Sequence, residues 1–277
     1  MTIHLPQRTD SPRSETGHIR VEELHVTFGD FVALERLSLD IPSGTFLCLL
    51  GPSGCGKSTV LNCVAGFELP TSGKVSIDGK TVVGPGPDRG VVFQQPTLFP
   101  WKTVRKNIGL GLTMRGLAPA EIDRRVDELL KIVGLSAFGD RYPQALSGGM
   151  QQRTAIARVL AIEPSVLLMD EPFAALDAQT RAMMHAHLHE LWTRIRKTVL
   201  FITHDLDEAL LLGDRIAVMS ASPGRIIADF PIPLPRPRTI ESTLSPTFID
   251  LKRRCLDLIS EQALKAFEVG ASTSASR

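Results

Sequence analysis

The chain has 277 residues, 43% of them hydrophobic, and its 31 basic residues nearly balance 30 acidic ones. This length allows one large domain or two small ones with a buried core, and the balanced charge argues against a nucleic-acid partner. No window reaches the ~18 apolar residues of a membrane span, and the N-terminus lacks the apolar core of a signal peptide, so we expect a soluble cytoplasmic protein.

The chain begins with a polar, proline-bearing segment, residues 1–17, which we predict to be disordered. Residues 19–28 alternate between apolar and polar side chains, and residues 30–41 continue in the same manner. This pattern indicates that residues 19–28 form an edge strand of an antiparallel sheet and that the sheet continues with residues 30–41.

An apolar run, a glycine-rich turn and a helix-competent segment follow one another at residues 46–61, FLCLLGPSGCGKSTVL. This order is typical of a P-loop, G-x-x-x-x-G-K-[ST]. Backbone amides of the loop are expected to bind phosphates, because glycine lets them approach an anion closely. The loop consists of Gly51, Pro52, Ser53, Gly54, Cys55 and Gly56. Lys57 is predicted to contact the β- and γ-phosphates, Ser58 to ligate Mg²⁺, and Thr59 to lie near the α-phosphate.

Residues 90–93 are predicted to form a strand that leads into Gln94. Apolar residues then recur at helical spacing, and we predict an inserted helical subdomain at about residues 97–160. The apolar stretch LFPW at residues 98–101 is either a contact site for a partner or part of the core of this subdomain.

The segment LSGGMQQR at residues 146–153 places a serine and two glycines at the start of a strongly helical stretch. A helix N-terminus presents free backbone amides and the positive end of the helix dipole. Ser147, Gly148 and Gly149 are therefore predicted to form a second anion-binding site.

An apolar strand at residues 165–172, SVLLMDEP, ends in two adjacent carboxylates. Adjacent side chains on a strand point to opposite faces, so two different roles are expected. Asp170 is predicted to reach the Mg²⁺ held by Ser58, and Glu171 to orient the water that attacks the γ-phosphate.

The series of P-loop, LSGG, DE strand and FITHD, the last containing His204, resembles the ATP-binding cassette (ABC) ATPases over residues 19–231. The resemblance implies an α/β fold, a P-loop NTPase core with an antiparallel β-subdomain and the inserted helical subdomain. It places the ABC ATPase domain at residues 18–231 and implies ATP and Mg²⁺ as cofactors.

The resemblance also implies roles for single residues. Phe28 would stack on adenine, the alternative being a core aromatic residue. Gln94 would contact Mg²⁺ or the attacking water, the alternative being an ordinary loop residue. His204 would contact the γ-phosphate and hold Glu171 and the water in line. Asp177 would lie in the D-loop, which crosses the interface between two ATPase subunits.

Three further expectations concern residues without such a role. Met150 stands where many family members have glutamine, and we expect function to be intact. The four cysteines are predicted to be buried free thiols, with Cys55 open to alkylating reagents because it lies in the phosphate loop. His185 and His189 are spaced i, i+4 without an H-E-x-x-H pattern, which favours a solvated helix face over a metal site.

Residues 232–269 are predicted to form a proline-rich linker and a helix of about 20 residues, followed by a disordered tail at residues 270–277. This C-terminal segment is too short for the regulatory β-domain of the sugar-importer branch. A detached single cassette of this kind resembles the ATPase subunits of bacterial importers.

That resemblance implies a peripheral subunit on the cytoplasmic face of the inner membrane. The implied partners are a second copy of the chain, two transmembrane permease subunits and a periplasmic or extracytoplasmic substrate-binding protein, with no nucleic acid. GPGPDRGVVFQ and the helix after SPTFI resemble the taurine branch of the nitrate, sulfonate and taurine importers. Taurine or another sulfonate is therefore the expected substrate, with nitrate, another small organic anion or a thiamine precursor as alternatives. A soluble ABC ATPase without a transport role is the remaining alternative.

Overall fold

In the computed structural model, the described residues are 16–174 and 176–274. The strands in this part of the chain are β1 (Ile19–Phe28), β2 (Phe31–Ile41), β3 (Phe46–Leu50), β4 (Ser72–Ile77), β5 (Lys80–Thr81), β6 (Arg89–Val92), β7 (Val166–Asp170), β8 (Thr198–Ile202), β9 (Arg215–Met219) and β10 (Ile226–Pro231). The α-helices are α1 (Lys57–Ala65), α2 (Val104–Ile108), α3 (Leu110–Met114), α4 (Pro119–Ile132), α5 (Gly148–Ala161), α6 (Ala178–Ile195), α7 (Leu206–Leu212) and α8 (Pro246–Ser274).

Six strands form the central sheet in the order β10-β9-β3-β8-β7-β6, parallel except for the antiparallel pair β9 and β10. Strands β3 and β8 are buried along their whole length because the sheet is covered on both faces. Their carboxyl ends lie beside that of β7. The loops that follow these three strands therefore meet at one edge of the sheet.

A second, antiparallel sheet has the strand order β2-β1-β4-β5. Strand β1 pairs with β2 on one side and β4 on the other, so the prediction of an edge strand at residues 19–28 is wrong. Together with α1 this second sheet packs on one face of the central sheet, while α5, α6, α7 and α8 pack on the other. The predicted fold class, an α/β P-loop core with an antiparallel β-subdomain, is confirmed.

The start of the folded domain is fixed by one carboxylate. Asp78 accepts hydrogen bonds from the backbone amide of Gly17 at 2.8 and 2.9 Å and from that of His18 at 2.9 Å. The predicted disordered segment 1–17 therefore ends too late, because Gly17 is anchored. Residues 1–15 lie outside the described part of the chain.

The inserted subdomain consists of α2, α3 and α4 packed against α5, around a core of its own. Its helices begin at Val104, because the turn before them is held by Asn107, which is fully buried. The Asn107 side chain accepts a hydrogen bond from the amide of Phe99 at 2.9 Å and donates to the carbonyl of Lys102 at 2.9 Å. The stretch 98–101 thus forms an ordered turn at the entrance to the subdomain.

Helix α8 packs on the catalytic domain through Phe248 and Cys255, two turns apart and both buried. It has 29 residues, so the predicted length of about 20 and the predicted tail from residue 270 are wrong for the described residues. No proline follows Gly270 in this segment, and the helical hydrogen bonding therefore continues. Within the described residues, every helix is too short or too polar to be a membrane span.

Candidate functional site

The glycine-rich loop connects the carboxyl end of β3 to the first residue of α1. Gly54 and Gly56 have φ angles of 77° and 96°, which residues with a side chain rarely adopt. At Gly56 a Cβ atom would also lie 2.7 Å from Cδ2 of Leu34 and 3.1 Å from the carbonyl oxygen of Ala33. The loop conformation therefore requires glycine here, and its backbone amides can approach an anion closely.

The side chain of Lys57 folds back across this loop. It is 8% exposed, and its ammonium donates hydrogen bonds to the carbonyl oxygens of Gly51 and Pro52, both at 2.9 Å. These partners compensate the buried charge. Ser53 is exposed and Thr59 half-buried on the same segment. The structure thus brings a positive charge and the N-terminus of α1 together at the predicted phosphate loop.

Cys55 lies inside the loop but not on its surface. Its side chain is 1% exposed, and burial raises the pKa of its thiol. Because the thiolate is the species that reacts with alkylating reagents, we expect Cys55 to react slowly, which argues against the vulnerability predicted from its place in the loop. All four cysteines, Cys48, Cys55, Cys63 and Cys255, are free and buried, which confirms the other part of the prediction.

Asp170 ends β7 next to α1, where its carboxylate accepts a hydrogen bond from the hydroxyl of Ser58. Burial, assisted by the charge of Glu171, raises the pKa of Asp170, while Ser58 and Lys57 act in the opposite direction. The carboxylate charge is therefore incompletely compensated by the protein. A cation bound at this point would supply the missing compensation.

The hydroxyl of Ser58 and the carboxylate of Asp170 suit Mg²⁺ better than a metal ion whose ligands all come from the protein. Among the described residues, no cluster of three or more histidine, cysteine, aspartate or glutamate side chains is placed to hold a metal ion. Mg²⁺ typically takes one or two carboxylates and completes its shell with phosphate oxygens and water. Ser58 and Asp170 fit this pattern, and Gln94 lies exposed in the loop after β6.

Glu171 and His204 follow adjacent parallel strands, whose last paired residues are Asp170 and Ile202. Oε2 of Glu171 lies 3.1 Å from Nδ1 of His204. Glu171 has a φ angle of 43°, a conformation unusual for a residue with a side chain, and its amide donates to the carbonyl of Ile202 at 3.0 Å. The Glu171 side chain is 23% exposed and that of His204 63%, so the pair faces solvent at the edge of the sheet.

The loop that contains Gln94 is attached to α5 at two points. The side-chain amide of Gln152 donates to the carbonyl of Phe93 at 3.2 Å. The guanidinium of Arg158 donates to the carbonyl and the hydroxyl of Thr97, at 2.6 and 3.0 Å. A displacement of α5 would therefore displace this loop.

Ser147 is the N-cap of α5, its hydroxyl accepting from the amide of Met150 at 3.4 Å. Ser147 and Gly148 are exposed, whereas Gly149 is buried so closely that a Cβ atom would lie 2.7 Å from Cγ2 of Thr180. The side chain of Met150 packs against the core of the helical subdomain. The exposed part of the predicted signature is thus its backbone and the serine, not the methionine.

Asp177 is the N-cap of α6 and accepts a hydrogen bond from the amide of Thr180 at 2.9 Å, which lowers the pKa of its carboxyl. The same Thr180 contacts the signature glycine Gly149. The predicted D-loop residue therefore has a structural function within the chain, and its helix begins against α5.

Phe28 lies at the tip of the hairpin formed by β1 and β2, directly opposite Phe31. The two side chains are 48% and 53% exposed. This exposure rules out the alternative that Phe28 is a core residue. Its role in stacking on adenine stays a prediction.

Two histidines of α6 do not lie on a solvated face, contrary to the prediction. Nε2 of His185 is 2.7 Å from Oε1 of Glu208, and its ring centroid is 5.5 Å from that of Phe173. Burial lowers the pKa of His189 to about 4, with a further contribution from Arg236. Both side chains are drawn inward because α6 packs against α7 and the central sheet.

Arg181 and Glu208 lie beside the predicted site without belonging to any motif. Arg181 donates to Oδ2 of Asp205 at 3.4 Å, and Glu208 is 4% exposed. Glu208 follows Asp207 in the first turn of α7, LDEALLL, where acidic residues are common, so its burial has no clear signal in the sequence. In the fold, a buried carboxylate requires polar partners.

The arrangement can bind a polyphosphate and direct a water molecule at its end. Lys57 and the loop amides supply positive potential, and Asp170 with Ser58 can hold a metal ion. Glu171 can accept a proton from water, oriented by His204. These groups converge at the carboxyl edge of one sheet.

Known proteins similar to this chain form a coherent group. The sequence model of the family described as ABC transporter matches residues 34–174. The chain is 50% identical to the taurine import ATP-binding protein TauB of Roseobacter denitrificans over 206 residues, 74% of this chain and 77% of that protein. It is 44% identical to the nitrate import ATP-binding protein NrtD of Synechococcus elongatus over 267 residues, 94% of this chain and 97% of that protein. Among solved structures, a dimeric ATP-binding cassette in a post-hydrolysis state with ADP and Pi has a TM-score of 0.68 and 33% identity, covering 77% of this chain and 98% of that one.

Proposed function

Because this chain belongs to the ABC transporter family and is an ATP hydrolase coupled to transport, we propose that it energises the import of taurine or another sulfonate. The observation that carries the import function is the similarity to two import ATP-binding proteins, one of them along 94% of this chain. The site at the edge of the central sheet supplies the chemistry.

ATP binds with its β- and γ-phosphates against the amides of residues 51–59 and the ammonium of Lys57. Phe28 stacks on the adenine from the tip of the hairpin, where its face is accessible. Ser58, Asp170 and Gln94 would hold Mg²⁺, which would neutralise charge on the phosphates. The raised pKa of Asp170 supports a cation at this position.

Hydrolysis uses the exposed pair of Glu171 and His204. Glu171 accepts a proton from the attacking water, and Nδ1 of His204, 3.1 Å from Oε2 of Glu171, orients its carboxylate. Contact of the other ring nitrogen, Nε2, with the γ-phosphate requires that Nε2 also carry a proton, because phosphate oxygens only accept. Positioning and electrostatics supply most of the rate enhancement in phosphoryl transfer, and both act here.

A second copy of the chain completes the site. Ser147 and Gly148 are exposed. In a dimer, these two residues of each subunit can therefore contact the γ-phosphate bound by the other subunit. Asp177 reaches the same interface. The similar solved cassette is dimeric, which supports this assembly.

The permease docks where the catalytic core meets the helical subdomain. A largely apolar cavity of about 580 Å³ lies there, lined by Phe67, Phe93, Phe99, Leu110, Met114 and Val159, among others. Met114 and Trp101, at 81% and 70% exposed, present further apolar surface. Since Gln94 lies in the loop beside the cavity, contact with two permease subunits would be coupled to the nucleotide site.

With permease subunits as its partners, the chain would lie peripherally on the cytoplasmic face of the inner membrane. A periplasmic or extracytoplasmic binding protein delivers the substrate to the permease, and the substrate itself does not touch the ATPase subunit. The choice of taurine or another sulfonate therefore rests on similarity to a taurine import protein and on the taurine-like strings of this sequence. Nitrate is the second candidate because the nitrate import protein matches over more of the chain.

Growth of a strain that lacks this gene tests the substrate. Taurine, alkanesulfonates and sulfate are offered as single sulfur sources, and nitrate as a single nitrogen source. Failure on taurine or alkanesulfonates with normal growth on sulfate is the expected result, restored by the native gene but not by the Glu171→Gln variant. Failure on nitrate alone would assign the second candidate, and normal growth on every source would refute both.

A further inference from the structure

The loop that contains His204 is hydrogen-bonded, on the side away from solvent, to buried side chains that have no part in the proposed chemistry. His204 itself is 63% exposed, so its surroundings do little to fix its ring. Its neighbour Thr203 is 2% exposed and hydrogen-bonded to the carboxylate of Glu208, which is 4% exposed. The position of His204 is therefore determined by the residues that hold Thr203 and Glu208.

The hydrogen bonds around Glu208 have a defined direction. The hydroxyl of Thr203 accepts from the amide of Asp205 at 3.0 Å, so its own proton points to Oε2 of Glu208. Oε1 of Glu208 lies 2.7 Å from Nε2 of His185, and as a carboxylate oxygen it accepts from the Nε2–H tautomer of that ring. His185 is therefore the donor to Glu208. Without this donor, one carboxylate oxygen would be left buried and unpaired.

A second contact runs in parallel one helical turn away. Arg181 donates from one nitrogen to Oδ2 of Asp205 at 3.4 Å and from another to the carbonyl of Leu176 at 3.0 Å. Arg181 and His185 are spaced i, i+4 and lie on the same side of α6. Helix α6, whose N-cap is the D-loop residue Asp177, therefore contacts the segment 203–208 at two points, through Arg181 and His185.

We propose that His185 is a positioning residue for ATP hydrolysis. Through Glu208 and Thr203 it keeps His204 aligned with Glu171. Together with Arg181, it makes this alignment depend on the position of the D-loop. This inference rests on the proposed roles of Glu171 and His204. It makes α6 the element through which a partner subunit at the D-loop affects the rate of hydrolysis without changing nucleotide affinity.

Steady-state ATPase kinetics of the purified full-length chain with MgATP test the proposal. His185→Leu removes the donor and is expected to lower kcat roughly 10- to 100-fold with KM within about twofold, because a small displacement of an orienting group has a large effect on rate. His185→Gln, whose amide can donate to Glu208, is expected to restore most of the rate. Met183→Leu, on an exposed part of the same helix, is the matched control and should behave as the native chain.

A variant at the other end of the contact covers the case in which His185→Leu fails to fold. Thr203→Val keeps the volume but removes the hydroxyl, and the same loss of kcat is expected. Combined with His185→Leu it should add little further loss, because both changes break one linkage.

Native kcat in His185→Leu or Thr203→Val would overturn the proposal, as would equal losses in His185→Gln and His185→Leu. A native chain that hydrolyses no ATP would instead overturn the proposed function.

Discussion

The two ends of the nucleotide site are built in different ways. The phosphate-binding end, residues 51–59, is one continuous segment that folds around its own lysine, with Lys57 and Cys55 buried. The hydrolytic end, Asp170, Glu171 and His204, is assembled from two separate strands, and its histidine is 63% exposed. The first end is shaped by local backbone geometry and the second by contacts between distant parts of the chain.

Because of this difference, nucleotide affinity and the rate of hydrolysis should depend on different parts of the molecule. Nucleotide affinity should depend on residues 51–59 and on Phe28 at the tip of the hairpin. The rate of hydrolysis should depend on groups whose alignment requires α6 and α7. Changes at one end are therefore expected to leave the property of the other end nearly intact, and three measurements test this.

The largest effect is expected from Glu171→Gln at the hydrolytic end. Loss of a group that accepts the proton of water lowers kcat by a factor on the order of 10² to 10⁴. ATP affinity should stay within about twofold of the native chain, because the P-loop is untouched, and ATP should trap a dimer that cannot turn over. Single-turnover kinetics, equilibrium ATP binding and size-exclusion chromatography with ATP measure the three quantities.

Glu163→Gln is the matched control for this change. Its carboxylate is 69% exposed and pairs with Arg125 on the surface, so the same loss of charge should leave both kcat and affinity unchanged. Hydrolysis by Glu171→Gln at the native rate would show that another group polarises the water. A large loss of ATP affinity in this variant would show that the two ends are not separable.

A smaller effect, this time on nucleotide affinity, is expected from Phe28→Ala at the tip of the hairpin. Stacking of an aromatic side chain on a base contributes about 1–3 kcal/mol, so the Kd for ATP should rise roughly 5- to 150-fold while kcat at saturation changes little. Phe31→Ala is the control, since Phe31 is directly opposite on the hairpin and equally exposed. Loss of affinity in the Phe31 variant alone would transfer the stacking role to that residue.

The phosphate-binding end, which is local in the sequence, is easier to predict than the hydrolytic end, which is assembled from two strands. The P-loop, the buried strand before it and the helix after it are encoded in sixteen adjacent residues, FLCLLGPSGCGKSTVL, and the structure has all three in place. The closeness of Glu171 to His204 could be anticipated because parallel strands end at one edge of a sheet. Local pattern and sheet topology together account for the fold class.

The errors come from contacts between residues far apart in the chain. The absence of an H-E-x-x-H pattern around His185 favours a solvated face, yet Glu208, 23 residues later, draws the side chain inward. The composition of residues 1–17 predicts a disordered tail, yet Asp78, 61 residues later, anchors Gly17. In both cases the deciding group is a buried or bridging carboxylate whose partner cannot be identified without the fold.

The smallest expected effect concerns Cys55, where the compactness of the phosphate-binding end can be measured directly. With a side chain 1% exposed and a thiol pKa raised by burial, Cys55 should react slowly with N-ethylmaleimide in the folded protein, although all four thiols react after unfolding. ATP affinity after brief treatment should therefore equal that of untreated protein, and Cys55→Ala should give the same result. Rapid loss of ATP binding that Cys55→Ala prevents would mean that the loop opens on the timescale of the reaction. The phosphate-binding end would then depend on nucleotide or on a partner for its shape, just as the hydrolytic end depends on α6 and α7.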